Sequence, residues 1–340
     1  MELKNVSVGI DGISVSLSRV LVNRPTYIPT EKQWFMQLVP KRNQTEIAIV
    51  LPRTVRETNI DGFSVKDARK LFGDAESAIR GQFKRNFPQA EFEGCVVRSI
   101  EVALTVSFRE SGDSTIVVDN LVNLFSRALL EMDVNRQQNA YLMGKRREGY
   151  LYLKDQMVKS FETKTDTSGR FKVKTYSKQK GSAFDNGKEQ DSVFRLELVY
   201  GERGIRQALR LPKGEPIYFA GIFNEKSIVL LVNEFKKDVT KKVLPSVTGM
   251  LNDITNVFYK SLRQKKGYDA IMENVGILYD YQLFSKALRR HYRKTGKTDE
   301  AFRRQKTRLL NRLKKQNKNM EIPDGDVITI LQLIAKEVRN

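Results

Sequence analysis

The chain has 340 residues, with 60 Lys and Arg against 40 Asp and Glu, one His, and a formal net charge of +20. At 40 % hydrophobic residues it can bury a sizeable core, which excludes a wholly disordered basic tail; its length suits two domains, or one with a large appendage. One cysteine, Cys95, and one histidine, His291, exclude an internal disulfide, a multi-thiolate metal site and any mechanism that needs two imidazoles.

In chain order, Val8 to Ile10 and Ile13 to Leu17 have period-two apolar spacing around the turn signal Asp11-Gly12, which predicts a hairpin. Glu46 to Leu51 reads as a strand closed by Pro52. Ser64 with Asp67 three residues on predicts a capped helix running to about Phe87. Ile100 to Phe108 alternates strictly: its apolar side must be core, and its other side carries Ser99, Glu101, Ala103, Thr105 and Ser107. Residues 114–131 are helical in periodicity. Strands are predicted at Tyr141–Met143 and Tyr150–Leu153 around the basic turn 144–147, with a hairpin loop over Phe161–Gly169. Phe171 to Tyr176 and Phe194 to Leu198 alternate again.

After about residue 225 the pattern becomes helical, over 226–264 and 268–294, then 299–315, with a last apolar helix from Asp326 to Val338 after Pro323-Asp-Gly325. From Phe284 to Lys318 there are 14 Lys and Arg against 2 acidic residues. The expected class is therefore α+β: an antiparallel-rich sheet with flanking helices, made of two related strand-helix halves, followed by a basic, all-helical region. The expected domains are 1–225 for chemistry and 226–340 for DNA binding.

Charge points to a polyanion, and nucleic acid is the commonest. No apolar run spans a bilayer, and MELKNVSVGIDG has no charged stretch followed by an apolar one, so a cytoplasmic protein with no membrane partner is expected. The 281–294 helix, the turn Lys294-Thr-Gly296 and the 299–315 helix read as a helix-turn-helix unit; Arg289, Arg290, Arg293, Arg303, Arg304, Lys306 and Arg308 are its candidate DNA contacts. A solvated basic bundle making only phosphate contacts is the plainer reading. His291 among these cations reads as a solvated residue, and His291-Tyr-Arg293 departs from the His-x-x-Arg of tyrosine recombinases. Gly201-Glu-Arg-Gly204 and Gly144-Lys145 lack the spacing of a phosphate-binding loop, so no ATP motor is expected.

Glu101, Tyr176 and Glu197 are polar residues on strands whose opposite faces are apolar. If the strands are neighbours, two carboxylates and a phenol converge. The carboxylates suit Mg²⁺ or Mn²⁺, which would polarise a phosphodiester, and the phenol suits a nucleophile that forms a covalent phosphotyrosine. Lys174 and Lys178 flank Tyr176 and suit phosphate binding or a lowering of the phenol's pKa. The plainer reading makes all of these solvated residues of an open sheet face.

Several stretches, in this order, resemble the replication initiators of filamentous phages and small rolling-circle plasmids, the gene II-like family. They are Ile10-Asp-Gly-Ile13, Ile49 to Arg53 with Asn59-Ile60, Val97 to Val102, Val173 to Lys178 and Phe194 to Leu198, with a weaker match over Ala301–Ile322. The resemblance implies that Tyr176 is the nicking nucleophile, with Lys178 completing its Tyr-x-Lys strand, and that Glu101 and Glu197 hold the metal. It further implies nicking of a double-strand or hairpin origin to a 5′-phosphotyrosine and a free 3′-OH, with later religation, beside a host helicase and polymerase. A homodimer is compatible with two successive transfers. The family's Asp is Glu at 101, and the loop before the Tyr strand is enlarged. The alternatives are a non-catalytic DNA- or RNA-binding protein, a metal nuclease using water, and a basic capsid or scaffold protein.

Overall fold

The computed structural model describes residues 2–28, 34–56, 61–109, 111–132, 141–142, 145–146, 160–162, 170–178, 192–316 and 323–339. Its centre is a ten-stranded antiparallel sheet: β1 (Leu3–Leu17), β2 (Thr26–Ile28), β3 (Met36–Lys41), β4 (Gln44–Val50), β5 (Val96–Phe108), β6 (Tyr141–Leu142), β7 (Lys145–Arg146), β8 (Ser160–Glu162), β9 (Phe171–Lys178) and β10 (Ser192–Gly201). The strand order is β2-β3-β4-β1-β5-β10-β9-β8-β6-β7.

The alternation read from sequence sorts the two faces. Ile10, Ile13 and Val15 of β1, Ile47 and Ile49 of β4, Ile100, Val102 and Leu104 of β5, and Phe194, Leu196 and Leu198 of β10 are buried on one face. Helix α2 (Gly112–Met132) packs there, with the Phe125 and Phe194 rings 5.0 Å apart between centroids. The intervening residues line the opposite face, which carries the polar groups considered below.

Asp11-Gly12 does not turn the chain. β1 runs through it as one strand, and the register against β5 shifts between Ile10 and Gly12. An Asp-Gly pair tolerates the distorted backbone of a β-bulge as readily as a turn, so its local signal fits both. Just before the bulge, Gly9 lies against Gly62: a Cβ on Gly9 would sit 2.6 Å from the Gly62 carbonyl carbon. Ile10 and Phe63 exchange backbone hydrogen bonds of 2.9 and 2.7 Å beside this contact.

Helix α1 (Val65–Asn86) begins where predicted, in a capping box: the Ser64 hydroxyl accepts from Asp67 N–H at 3.2 Å, and Asp67 Oδ2 accepts from Ser64 N–H at 2.8 Å. It buries Ala75, Ile79 and Phe83. Each half of the sheet thus supplies strands and one long helix. Leu142 of β6 stands opposite Lys145 of β7, so Lys145 and Arg146 of the predicted turn are strand residues. Phe161 and Glu162, expected in a loop, pair with β9 as part of β8, and residues 150–153 and 163–169 lie outside the described residues.

Helices α3 (Glu202–Leu209), α4 (Phe219–Ile222), α5 (Glu225–Asp238), α6 (Leu244–Gln264), α7 (Gly267–Glu273), α8 (Tyr281–Lys294), α9 (Asp299–Gln316) and α10 (Asp326–Glu337) complete the chain. A wide π-type turn, Val239–Val243, joins α5 to α6. Buried residues before and after residue 225 belong to one continuous apolar cluster. The buried Asp280 carboxylate ties the C-terminus down, accepting from the N–H groups of Gln282 (2.8 Å), Gly325 (3.0 Å) and Ile328 (3.1 Å). Among the described residues, no helix is long and apolar enough to cross a membrane.

Candidate active site

The polar face converges at one point because four neighbouring strands are in register there. Tyr176 of β9 stands opposite Arg195 of β10, and Lys174 opposite Glu197. Across β10, Glu197 faces Ala103 and Val199 faces Glu101. β1 adds Asp11, the extra residue at the bulge, beside Gly12, which faces Glu101. A Cβ at position 12 would lie 3.3 Å from the Ile49 carbonyl oxygen and in van der Waals contact with Glu101 Oε2 at 3.4 Å.

The Tyr176 hydroxyl donates to Glu197 Oε1 at 2.5 Å. Arg195 Nε lies 3.5 Å from that same oxygen, and Arg195 Nη2 lies 2.7 Å from Asp11 Oδ1. Lys174 Nζ bridges the two glutamates, 2.8 Å from Glu101 Oε1 and 3.9 Å from Glu197 Oε2. The Arg195 side chain is 0 % exposed and that of Glu197 2 %, so these charges interact where water screens them little. Tyr176 and Lys178 are half-buried on the same face.

Burial pushes the Tyr176 phenol well above its usual range; the Glu197 and Asp11 carboxylates add to this, and Arg195 opposes it. The expected lowering by flanking lysines is therefore overturned in direction, because burial outweighs the nearby positive charge. Burial also raises Glu197, with Asp11 and Glu101 adding and Arg195 and Lys174 opposing. Lys178 is lowered to about 7, chiefly by burial, then by the charges of Arg195 and Arg53, against Asp11 and Glu197. A neutral phenol bonded to a buried carboxylate whose proton affinity is raised is the arrangement of a nucleophile and its base.

The structure thus gathers Glu101, Lys174, Tyr176, Lys178 and Glu197, and adds Asp11, Arg195 and Arg53. Period two already places Arg195 on the face of Glu197, so a signal for it was present in the strand. Asp11 lies in an Asp-Gly pair whose local signal is that of a turn, which gives no sign of its place on this face. Arg53 follows β4 in a short 3-10 turn, Leu51–Thr54, and no local pattern links it to β9.

A divalent ion, which the resemblance implies, would need Glu101 and Glu197 as ligands, and Asp11 is a further carboxylate whose charge acts on Glu197. Lys174 Nζ stands between the two glutamates, and Glu197 Oε1 already holds Tyr176. Among the described residues, no group of three or more His, Cys, Asp or Glu is arranged to hold a metal. As placed, the donors do not form a ligand set, and an ion would first have to displace Lys174.

The basic helices form a second feature. Arg289, Arg290 and Arg293 are exposed on the last turns of α8, and Arg303, Arg304 and Arg308 are exposed on α9. The turn between the two helices holds Gly296 at φ +69°, a left-handed conformation that favours glycine. Arg303, Arg304, Thr307, Arg308, Asn311, Arg312 and Lys315 share one face of α9. Lys306 departs from the expected set: it turns inward, 5.9 Å from the Tyr281 ring centroid. Burial and then Lys297 hold the His291 imidazole below its usual range. No family model, no curated protein and no solved structure matches this chain.

Proposed function

We propose that the chain is a DNA strand transferase of the rolling-circle initiator type, in which Tyr176 nicks one strand of an origin and later reseals it. The observation that carries this reading is the 2.5 Å hydrogen bond from the Tyr176 hydroxyl to Glu197, in a buried cluster rich in cations. In the first step Glu197 takes the phenol proton as the Tyr176 oxygen attacks phosphorus. The bond from phosphorus to the 3′ oxygen breaks, that oxygen leaves with the electron pair and takes a proton from water, and a 5′-phosphotyrosine remains. A released 3′-OH gives its proton to water as it attacks the phosphotyrosine in the reverse sense; the bond from phosphorus to the Tyr176 oxygen breaks, and Glu197 returns its proton to Tyr176.

Arg195 and Lys174 hold Glu197 in place from two sides, while Lys178 and Arg53 add positive charge where phosphate charge would develop. Basic helices α8 and α9 are the surface suited to the duplex or hairpin around the nick. Unwinding and synthesis would fall to a host helicase and polymerase, since no motor motif is present.

The test is a denaturing gel of purified protein with labelled supercoiled or single-stranded origin DNA, in Mg²⁺, Mn²⁺ or chelator, beside Tyr176→Phe. A protein-DNA adduct that the variant lacks supports the proposal. Cleavage without an adduct would replace it with a water nuclease, and binding with neither would leave a DNA-binding protein.

A further inference from the structure

Trp34 is the only tryptophan of the chain. Its ring lies 5.5 Å from that of Tyr27 between centroids, at an interplanar angle of 58°. The Arg53 guanidinium carbon sits 5.5 Å from the Trp34 centroid, and Arg53 Nη1 donates to the Trp34 carbonyl oxygen at 3.2 Å. Tyr27 is fixed in turn, because Gln37 Nε2 donates to its hydroxyl at 3.1 Å. Both rings are half-buried, so each is held by the protein while keeping some surface open.

This group shares a face with the Tyr176 cluster. Tyr27 stands opposite Gln37, Gln37 opposite Ala48, Ala48 opposite Ser14, and Ser14 opposite Ser99. Ser99 is two residues from Glu101 on β5, hence on the same side of the sheet. Arg53 connects the two ends, because its charge contributes to the lowered pKa of Lys178 while its guanidinium borders Trp34.

Rigid aromatic rings, with the Arg53 guanidinium over one face of Trp34, suit an unpaired nucleic-acid base: stacking needs one open ring face, and a ring that is already fixed loses little entropy on binding. A base within a duplex is already stacked and offers no free face. We infer that Trp34, Tyr27 and Arg53 form a stacking subsite for an unpaired base of the strand that Tyr176 attacks. The inference rests on the proposed function for the identity of the strand, and on the aromatic geometry alone for the preference for single strands.

Because Trp34 is the sole tryptophan, its emission reports on this subsite directly. Full-length Tyr176→Phe protein, which cannot form the adduct, is titrated with a single-stranded oligonucleotide and with a blunt duplex, following tryptophan emission and, in parallel, the anisotropy of labelled DNA. The single strand is expected to quench the emission with the same midpoint as the anisotropy, and the duplex to bind without quenching. Trp34→Ala should weaken single-strand binding about 5- to 150-fold, the equivalent of one stacked base at about 1–3 kcal/mol. Trp34→Phe, which keeps a ring and guards against misfolding of the alanine variant, should hold near-parental affinity.

Single-strand binding with unchanged emission, or with unchanged affinity in Trp34→Ala, would overturn the subsite and leave tyrosine nicking untouched. Quenching in a protein whose parent forms no adduct would sink the nicking proposal and leave the subsite standing. Absence of single-strand binding would overturn the subsite outright.

Discussion

Glu197 is held by three groups: the Tyr176 hydroxyl and Arg195 on one oxygen, and Lys174 beside the other. Its burial raises its proton affinity, which suits a base that must take a proton from a phenol raised in the same direction. The closer the two affinities lie, the smaller the barrier to transfer. Glu197→Gln preserves shape and can still hydrogen-bond Tyr176, but it cannot accept the proton. Strand transfer should fall about 10²- to 10⁴-fold, the usual worth of a positioned base, with substrate binding retained. The loss should shrink as pH rises toward the Tyr176 pKa, because hydroxide then takes over the deprotonation. Single-turnover adduct formation from pH 7 to 10 measures this; a loss independent of pH would assign Glu197 to positioning instead. Replacing Arg195 would be a poorer probe, since it would strand Asp11 and Glu197 as buried charges and damage the fold first.

At the scale of elements, the site depends on where β9 begins. Arg170, just before the strand, donates to Asp238 Oδ1 and Oδ2 at 3.2 and 3.0 Å and to Glu234 Oε1 at 2.7 Å, and Tyr200 donates to Asp238 at 3.0 Å. These bonds fasten β9 and β10 to α5, beside the π-type turn. Gly204 fits under this clasp only for want of a side chain, because a Cβ would overlap the Arg170 carbonyl oxygen and lie 2.8 Å from Tyr200 Cδ1. Gly204→Ala should cost about 1–3 kcal/mol, the range for overpacking, and slow strand transfer by moving Tyr176 relative to Glu197. Urea denaturation with adduct kinetics checks both; a stable variant of parental rate would show that the strand start does not set the site. Legibility followed the range of the forces involved. The α1 cap and the alternations of β5, β9 and β10 are local, within a few residues, and could be read directly. The bulge at Asp11 could not, because a turn and a bulge favour the same dipeptide. Nor could the Arg53–Trp34 contact or the π-type turn, which arise from approach in space or from helix packing.

At the scale of the molecule, helices cover one side of the sheet, the other side carries the Tyr176 cluster, and the basic face of α9 lies outside both the cluster and the buried core. The surplus of twenty positive charges in the whole chain raises a long-range attraction for any polyanion, but only cations seated on phosphates release counterions one for one. That difference separates a docking face from a merely charged surface. Arg303 and Arg308 are exposed and lie on one face of α9, whereas Lys306 turns toward Tyr281. If the face seats duplex DNA, Arg303→Ala with Arg308→Ala should flatten the slope of log affinity against log salt by about 0.9 for each phosphate no longer neutralised, close to 2 in all. Lys306→Ala should leave that slope nearly unchanged. The arginine pair should not move the melting temperature appreciably, since exposed substitutions are usually within about 0.5 kcal/mol. Duplex affinity measured across a salt series decides the matter. A parallel downward shift with no change of slope would mean that α9 acts only through the general field, and duplex recognition would then have to be sought on the exposed arginines of α8.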